Sequence, residues 1–212
     1  MRLARVTKDG KIGLAAKSGD QVTIAYGADI ADLDRHIAAG TLADAGAKAE
    51  AGDAVDEGSL TFLTPIVRPS KIICMGLNYR DHAAEAGLGI PEFPVLFARF
   101  PSSLIGHGAP IILPKVSSQL DWEAELVAVL SKGGKNIAED DALGHVAGYS
   151  VFNDASIRDY QLKTPQWTAG KNFDDTGAFG PWLVTPEELP AGAAGLKIEC
   201  RVNGAVMQSS NT

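Results

Sequence analysis

Cysteine is nearly missing from this chain: Cys74 and Cys200 are the only two in 212 residues. Both lie in apolar, strand-like stretches, which points to separate buried thiols and excludes a disulfide framework or a cysteine-held metal. Long apolar runs are missing as well. None approaches the ~18 residues a membrane span needs, and Met1–Ala16 alternates Lys or Arg with short apolar runs instead of forming a signal-peptide core. A reducing cytoplasm and no membrane are the expectation. Positive charge is in deficit, with a formal net charge of −7 and no basic stripe, which argues against a nucleic-acid surface. A phosphate-cradling glycine loop is missing too, because Gly87-Leu88-Gly89 lacks both a third glycine and a preceding strand.

What is present reads as a β-rich body with short helices. Leu3–Val6, Ile12–Ala16 and Gln21–Ala25 have strand character and are separated by Asp9-Gly10 and Ser18-Gly19-Asp20 turns. Asp29–Ala39 carries Ile30, Leu33 and Ile37 at helical spacing, whereas Thr41–Ser59 has few large apolar residues and is expected to be weakly helical surface. Pro65 and Pro69 bracket a linker, so residues 1–69 are taken as a small N-terminal α+β domain and 70–212 as the main body. In that body Lys71–Met75 has a buried-strand pattern. Further strands are expected at Val95–Phe97, Ile111–Leu113, Asp121–Leu130, Val146–Phe152, Trp182–Val184 and Lys197–Val202, with Asn203-Gly204 as a hairpin turn into Ala205–Gln208.

Glu123 and Glu125 are the most informative residues. At i and i+2 on a strand they face one side, and two carboxylates ~4 Å apart repel by about 4 kcal/mol at an effective dielectric of ~20. Such a pair needs a cation, a shared proton or open water; the plain alternative is a charged, solvent-facing strand edge. Asp154, ending the apolar run before it, either caps the following helix or supplies a third oxygen ligand. Three carboxylates with open positions suit Mg²⁺ or Mn²⁺.

His82 and Glu85, at i and i+3, form either a solvated surface pair or an imidazole with its tautomer fixed for general-base work. Arg158 and Gln161 share a helical face. Lys171 follows the apolar Trp167-Thr168-Ala169-Gly170, where it either snorkels to the surface or polarises a carbonyl.

Taken together these stretches resemble the fumarylacetoacetate hydrolase family. The matching segments are Gly76–Glu85, Asp121–Leu126, Gly148–Gln161, Trp167–Lys171 and Gly180-Pro181-Trp182, in family order and spanning residues about 70 to 212. The resemblance implies a distorted β-roll of mixed sheets, a homodimer, and a Mg²⁺ or Mn²⁺ centre held by Glu123, Glu125 and Asp154. It implies His82 and Glu85 as the water-activating dyad, Lys171 as a catalytic donor, and Gln161, Arg158, Tyr79 and Arg80 as substrate contacts.

The implied reaction is metal-dependent hydrolysis of a carbon–carbon bond in an acylpyruvate, giving pyruvate and a carboxylic acid. Oxaloacetate decarboxylation, hydration or isomerisation of a 2-oxo-enoate, and ureidoglycolate lysis use the same kind of site and stand as alternatives. Two departures from the pattern are visible. Arg99 replaces a common lysine, expected to tune a peripheral contact. The chain stops at Thr212 where family members continue into a pocket-lining loop and closing strands, so a C-terminally incomplete, non-catalytic interaction module is the reading from another class.

Overall fold

The computed structural model describes residues 1–81, 87, 89 and 91–212. The chain opens as an antiparallel meander of β1 (Arg2–Lys8), β2 (Lys11–Ser18) and β3 (Gln21–Tyr26). The first turn places Asp9 at φ 49° and Gly10 at φ 73°, the paired positive angles that match the right-handed twist of a two-residue hairpin. Helices α1 (Leu33–Ala39) and α2 (Leu42–Glu50) follow, then β4 (Asp53–Val55) and β5 (Thr61–Phe62). Asp32 caps α1 by accepting from the Arg35 amide at 3.1 Å, and Gly40 closes it in the left-handed conformation.

The later strands are β6 (Ile72–Gly76), β7 (Val95–Arg99), β8 (Leu104–Gly106), β9 (Leu120–Asp121), β10 (Ala124–Leu130), β11 (Val146–Asp154) and β12 (Ser156–Ile157). They are followed by β13 (Gly177–Phe179), β14 (Leu183–Val184), β15 (Lys197–Val202) and β16 (Ala205–Asn211). Among the described residues ten strands form one sheet in the order β4-β3-β2-β1-β14-β11-β13-β8, with β10 added on β11 and β5 on β1. β13 and β8 run parallel while the other pairs are antiparallel, so the sheet is mixed and the protein is a β-rich α+β fold with short helices.

Residues 1–69, expected as an appendage, contribute strands to this same sheet. Leu3 pairs with Leu183 across β1 and β14, and the main apolar cluster joins Leu3, Leu14, Leu33, Ala45 and Ala49 to Phe152, Phe179 and Leu183.

Five local expectations are corrected. Thr41–Ser59 contains a regular helix, α2, because Ala45, Gly46 and Ala49 are small enough to bury against the sheet without large side chains. Ile111–Leu113 is not a strand, and Ile112 and Leu113 are exposed. β6 is not buried on both faces: among the described residues it pairs only with β7, and Ile73 and Met75 are 60% and 52% exposed. The cysteines are free as expected, but both are half-buried.

The fifth correction is the most consequential. Asp121–Leu130 is not one strand, since it breaks at Trp122-Glu123 between β9 and β10. The break is stitched by other partners. The Ala124 amide donates to the Gln208 side chain at 3.0 Å, and the Glu123 amide donates to the Asn153 side chain at 3.1 Å. Backbone groups that leave a ladder inside a protein must be paired elsewhere, and the C-terminal hairpin supplies Gln208 for that purpose. Asn203 (φ 51°) and Gly204 (φ 83°) make its turn as anticipated.

Candidate functional site

β11 carries Asp154 into the middle of the molecule, and its neighbours bring the other acids to it. The register sets Glu125 of β10 opposite Phe152 and Ala124 opposite Asn153. The Asp154 amide donates to the Glu123 carbonyl at 2.8 Å, which fixes the break beside the end of β11. β12 then pairs back onto β9, Ser156 opposite Asp121, and leads into the helical turn Arg158–Gln161.

Two glycines allow the cations in. A Cβ at Gly170 would fall on the backbone of Gln161, so only glycine lets the turn Thr168–Lys171 press against Arg158–Gln161. A Cβ at Gly177 would meet the Phe152 ring at 2.7 Å and the Arg99 guanidinium at 2.9 Å.

The result is a ladder of alternating charge. Arg158 donates from Nε to Asp121 at 2.8 Å and from Nη1 to Glu123 Oε1 at 2.5 Å. The Lys171 ammonium donates to Glu123 Oε2 at 2.6 Å and to Asp154 Oδ2 at 2.8 Å. Arg99 closes the ladder on Asp154 Oδ1. Its remaining donors reach Ser103 Oγ at 3.2 Å, Thr176 Oγ1 at 2.9 Å and the Ala155 carbonyl at 3.3 Å, and its plane lies over Phe152 with 5.2 Å to the centroid. Lys171 and Arg99 are 1% and 2% exposed. Buried charges persist only when paired and hydrogen-bonded, and here both carboxylate oxygens of Glu123 and of Asp154 have a cationic donor.

Glu125 is the acid outside this ladder. Among the described residues no Lys or Arg forms an ion pair with it. Burial, and after it the nearby Glu123 and Asp154 charges, raise its carboxyl to about 7 against an opposing Asn78 hydrogen bond and the Lys171 charge. Tyr79 bonds to Glu125, and burial together with that carboxylate pushes the phenol to about 12. Burial, and then Asp154, likewise raises the Cys74 thiol to about 12, so it is an inert neighbour. Burial works against the Arg158 charge, yet Glu123 and Asp121 more than offset it.

The structure thus brings together Glu123, Glu125, Asp154, Lys171, Arg158, Gln161 and Tyr79. Gln161 is buried and accepts from Arg158 at 2.8 Å, which leaves its amide NH₂ available to donate. Arg80 is exposed, and among the described residues it makes no side-chain hydrogen bond or ion pair within the ladder. His82 and Glu85 lie outside the described residues. Arg99 is a correction: it is a central buried cation and not a peripheral contact. Sequence reasoning also passed over Asp121. The available signals were an arginine closing the apolar strand Val95–Arg99 and an acid two residues before the glutamate pair.

The three acids offer hard oxygen donors of the kind Mg²⁺ and Mn²⁺ take, and Glu125 is a half-buried acid that no Lys or Arg among the described residues pairs with. The donor chemistry therefore fits such an ion. Among the described residues no three His, Cys, Asp or Glu side chains already converge on one ligating point, and Lys171 lies against two of the three acids.

A buried carboxylate centre at the end of a mixed sheet, flanked by lysine, arginine and glutamine donors, has the composition of an enzyme active site. The chain belongs to the fumarylacetoacetate hydrolase family: the model of the fumarylacetoacetate (FAA) hydrolase C-terminal region matches residues 71–212. It is 48% identical over 155 residues to the mitochondrial oxaloacetate tautomerase FAHD2A of Bos taurus, covering 72% of this chain and 49% of that protein. The chain thus spans about half the length of the curated relatives it matches. Among solved structures, the fumarylacetoacetate hydrolase of Exiguobacterium antarcticum superposes with a TM-score of 0.83 at 30% identity, covering all of this chain and 75% of the other. A 5-carboxymethyl-2-hydroxymuconate delta-isomerase from Mycobacterium smegmatis gives a TM-score of 0.75 at 28% identity, with 100% and 75% covered. None of the described helices is long and apolar enough to cross a membrane.

Proposed function

We propose that this chain carries the centre of a Mg²⁺- or Mn²⁺-dependent enzyme that shifts a proton next to the carbonyl of a 2-oxo acid, interconverting keto and enol forms of an oxaloacetate-like substrate. The observation that supports it best is the Lys171 ammonium, buried between Glu123 and Asp154 and near Glu125, whose carboxyl burial raises. Glu123, Glu125 and Asp154 would hold the ion. When bound, it would supply positive charge against the oxygen of a developing enolate.

The chain's own groups account for the rest. Arg158, oriented by Asp121 and Glu123, binds the substrate carboxylate through donors its partners leave available. Gln161 donates its amide NH₂, and Lys171 donates from Nζ, to the oxygen on which charge collects; one such donor is worth about 3 kcal/mol. His82 and Glu85, the dyad the family resemblance implies, move the proton at carbon. Loss of activity under EDTA, restored by Mn²⁺, is expected when the enol-to-keto conversion of oxaloacetate is followed optically. Conversion at the buffer rate with Mn²⁺ present would refute the proposal.

Hydrolysis of an acylpyruvate is the second reading, and the similarity to the Exiguobacterium antarcticum hydrolase favours it. It requires the same enolate and adds water attack by the His82–Glu85 dyad. Release of pyruvate from acetylpyruvate separates the two. The homodimer implied by the resemblance belongs to the same proposal and is checked by the mass in solution.

A further inference from the structure

Two buried cations share Asp154, and they are held very differently. Among the described residues Arg99 has four partners, Asp154, Ser103, Thr176 and the Ala155 carbonyl, and its guanidinium is stacked on Phe152. Lys171 is a point charge on a flexible stem whose ammonium has, among the described residues, Glu123 and Asp154 as hydrogen-bond partners, with Phe97 5.1 Å away at its ring centroid. A planar, multiply anchored guanidinium is fixed, whereas a lysine ammonium can rotate away on its four-carbon stem.

Resting on the proposed metal triad, we infer that Lys171 is a displaceable internal counter-ion, competing with the divalent cation for Glu123 and Asp154 and turning toward substrate once the cation takes them. Lys171 occupies Oε2 of Glu123 and Oδ2 of Asp154, while Arg158 and Arg99 occupy the opposite oxygens. A divalent charge on those acids repels an ammonium a few ångströms away in a low-dielectric site, where the interaction is poorly screened. Arg99 and Arg158 remain in place because each has further anchors. The donor needed for catalysis would then be released only when the metal is present.

The sign of the effect makes the inference testable. Mn²⁺ binding to the full chain is measured by titration calorimetry for the wild type and for Lys171→Met, and metal-free thermal unfolding is recorded for both. The variant is expected to bind Mn²⁺ about tenfold tighter or more, as removal of a competing charge requires, while its metal-free form unfolds at a lower temperature. Equal or weaker binding by the variant, with the wild type binding normally, overturns the inference and leaves the metal triad standing. Absence of Mn²⁺ binding by the wild type refutes the triad itself, and the inference falls with it. If Lys171→Met does not fold, ¹⁵N-lysine NMR of the wild type decides: the slowly exchanging ammonium signal should shift and lose its protection on adding Mg²⁺, and an unchanged signal overturns the inference.

Discussion

The sheet formed by β1–β3 and the centre around Asp154 are both buried, yet they are built on opposite principles. The first hides Leu3, Val6, Leu14, Val22 and Ile24, residues with no polar group to satisfy. Its stability is the non-directional gain of removing apolar area from water. The second hides Arg99, Asp154 and Lys171, whose burial is tolerated only because every carboxylate oxygen of Glu123 and Asp154 is matched to a cation. Burying charges gains little stability over an apolar core, and the proposed function gives the ladder at this position its role.

Breaking the charged side of the comparison should have the largest effect. Arg99→Met leaves Asp154 without its fixed partner and is expected to destabilise by about 3–5 kcal/mol, seen as a fall in the urea midpoint. Lys171→Ala, assayed at saturating Mn²⁺ in folded protein, should lower turnover about 10²–10³-fold through loss of a donor, equivalent to about 3–4 kcal/mol. On the apolar side, Leu14→Ala should cost about 2–5 kcal/mol through a cavity, with Mn²⁺ binding unchanged.

A smaller, pH-dependent effect comes from Glu125. Its carboxyl is raised from 4.5 to about 7 in the folded chain, so the folded state binds this proton more tightly than the unfolded state. Below 4.5 both states are protonated and Glu125 contributes nothing. Between 4.5 and 7 the unfolded chain ionises first and metal-free stability falls, by about 3 kcal/mol in total, then levels off. Urea midpoints across that range should fall for the wild type, and Glu125→Gln should flatten the slope. At the weak end, Glu199→Gln removes exposed pairing with Lys197 and Arg201 and should leave the urea midpoint essentially unchanged.

The same contrast explains what the sequence disclosed. The β1–β3 meander and the β15–β16 hairpin follow from residue alternation and from glycine turns that only a few conformations accept, so they could be read directly. α2 escaped because its buried face is alanine and glycine, which give no hydrophobic periodicity. The three acids, Lys171, Arg158 and Gln161 were all legible as residue types, and the family resemblance placed them in one site. The break at Trp122-Glu123 was not legible, because the partners that stabilise it, Asn153 and Gln208, lie 30 and 84 residues from the amides they accept from. Arg99 was misplaced for the same reason: its acceptors Ser103, Asp154 and Thr176 meet only through folding.

The central claim, that Glu125 completes a divalent-cation site with Glu123 and Asp154, is tested most directly by a Mn²⁺ electron paramagnetic resonance titration of the wild type beside Glu125→Gln. The account predicts that the wild type removes the free aqueous Mn²⁺ signal in a one-to-one titration while the variant leaves most of it in solution. Equal loss of the signal with both proteins would contradict it.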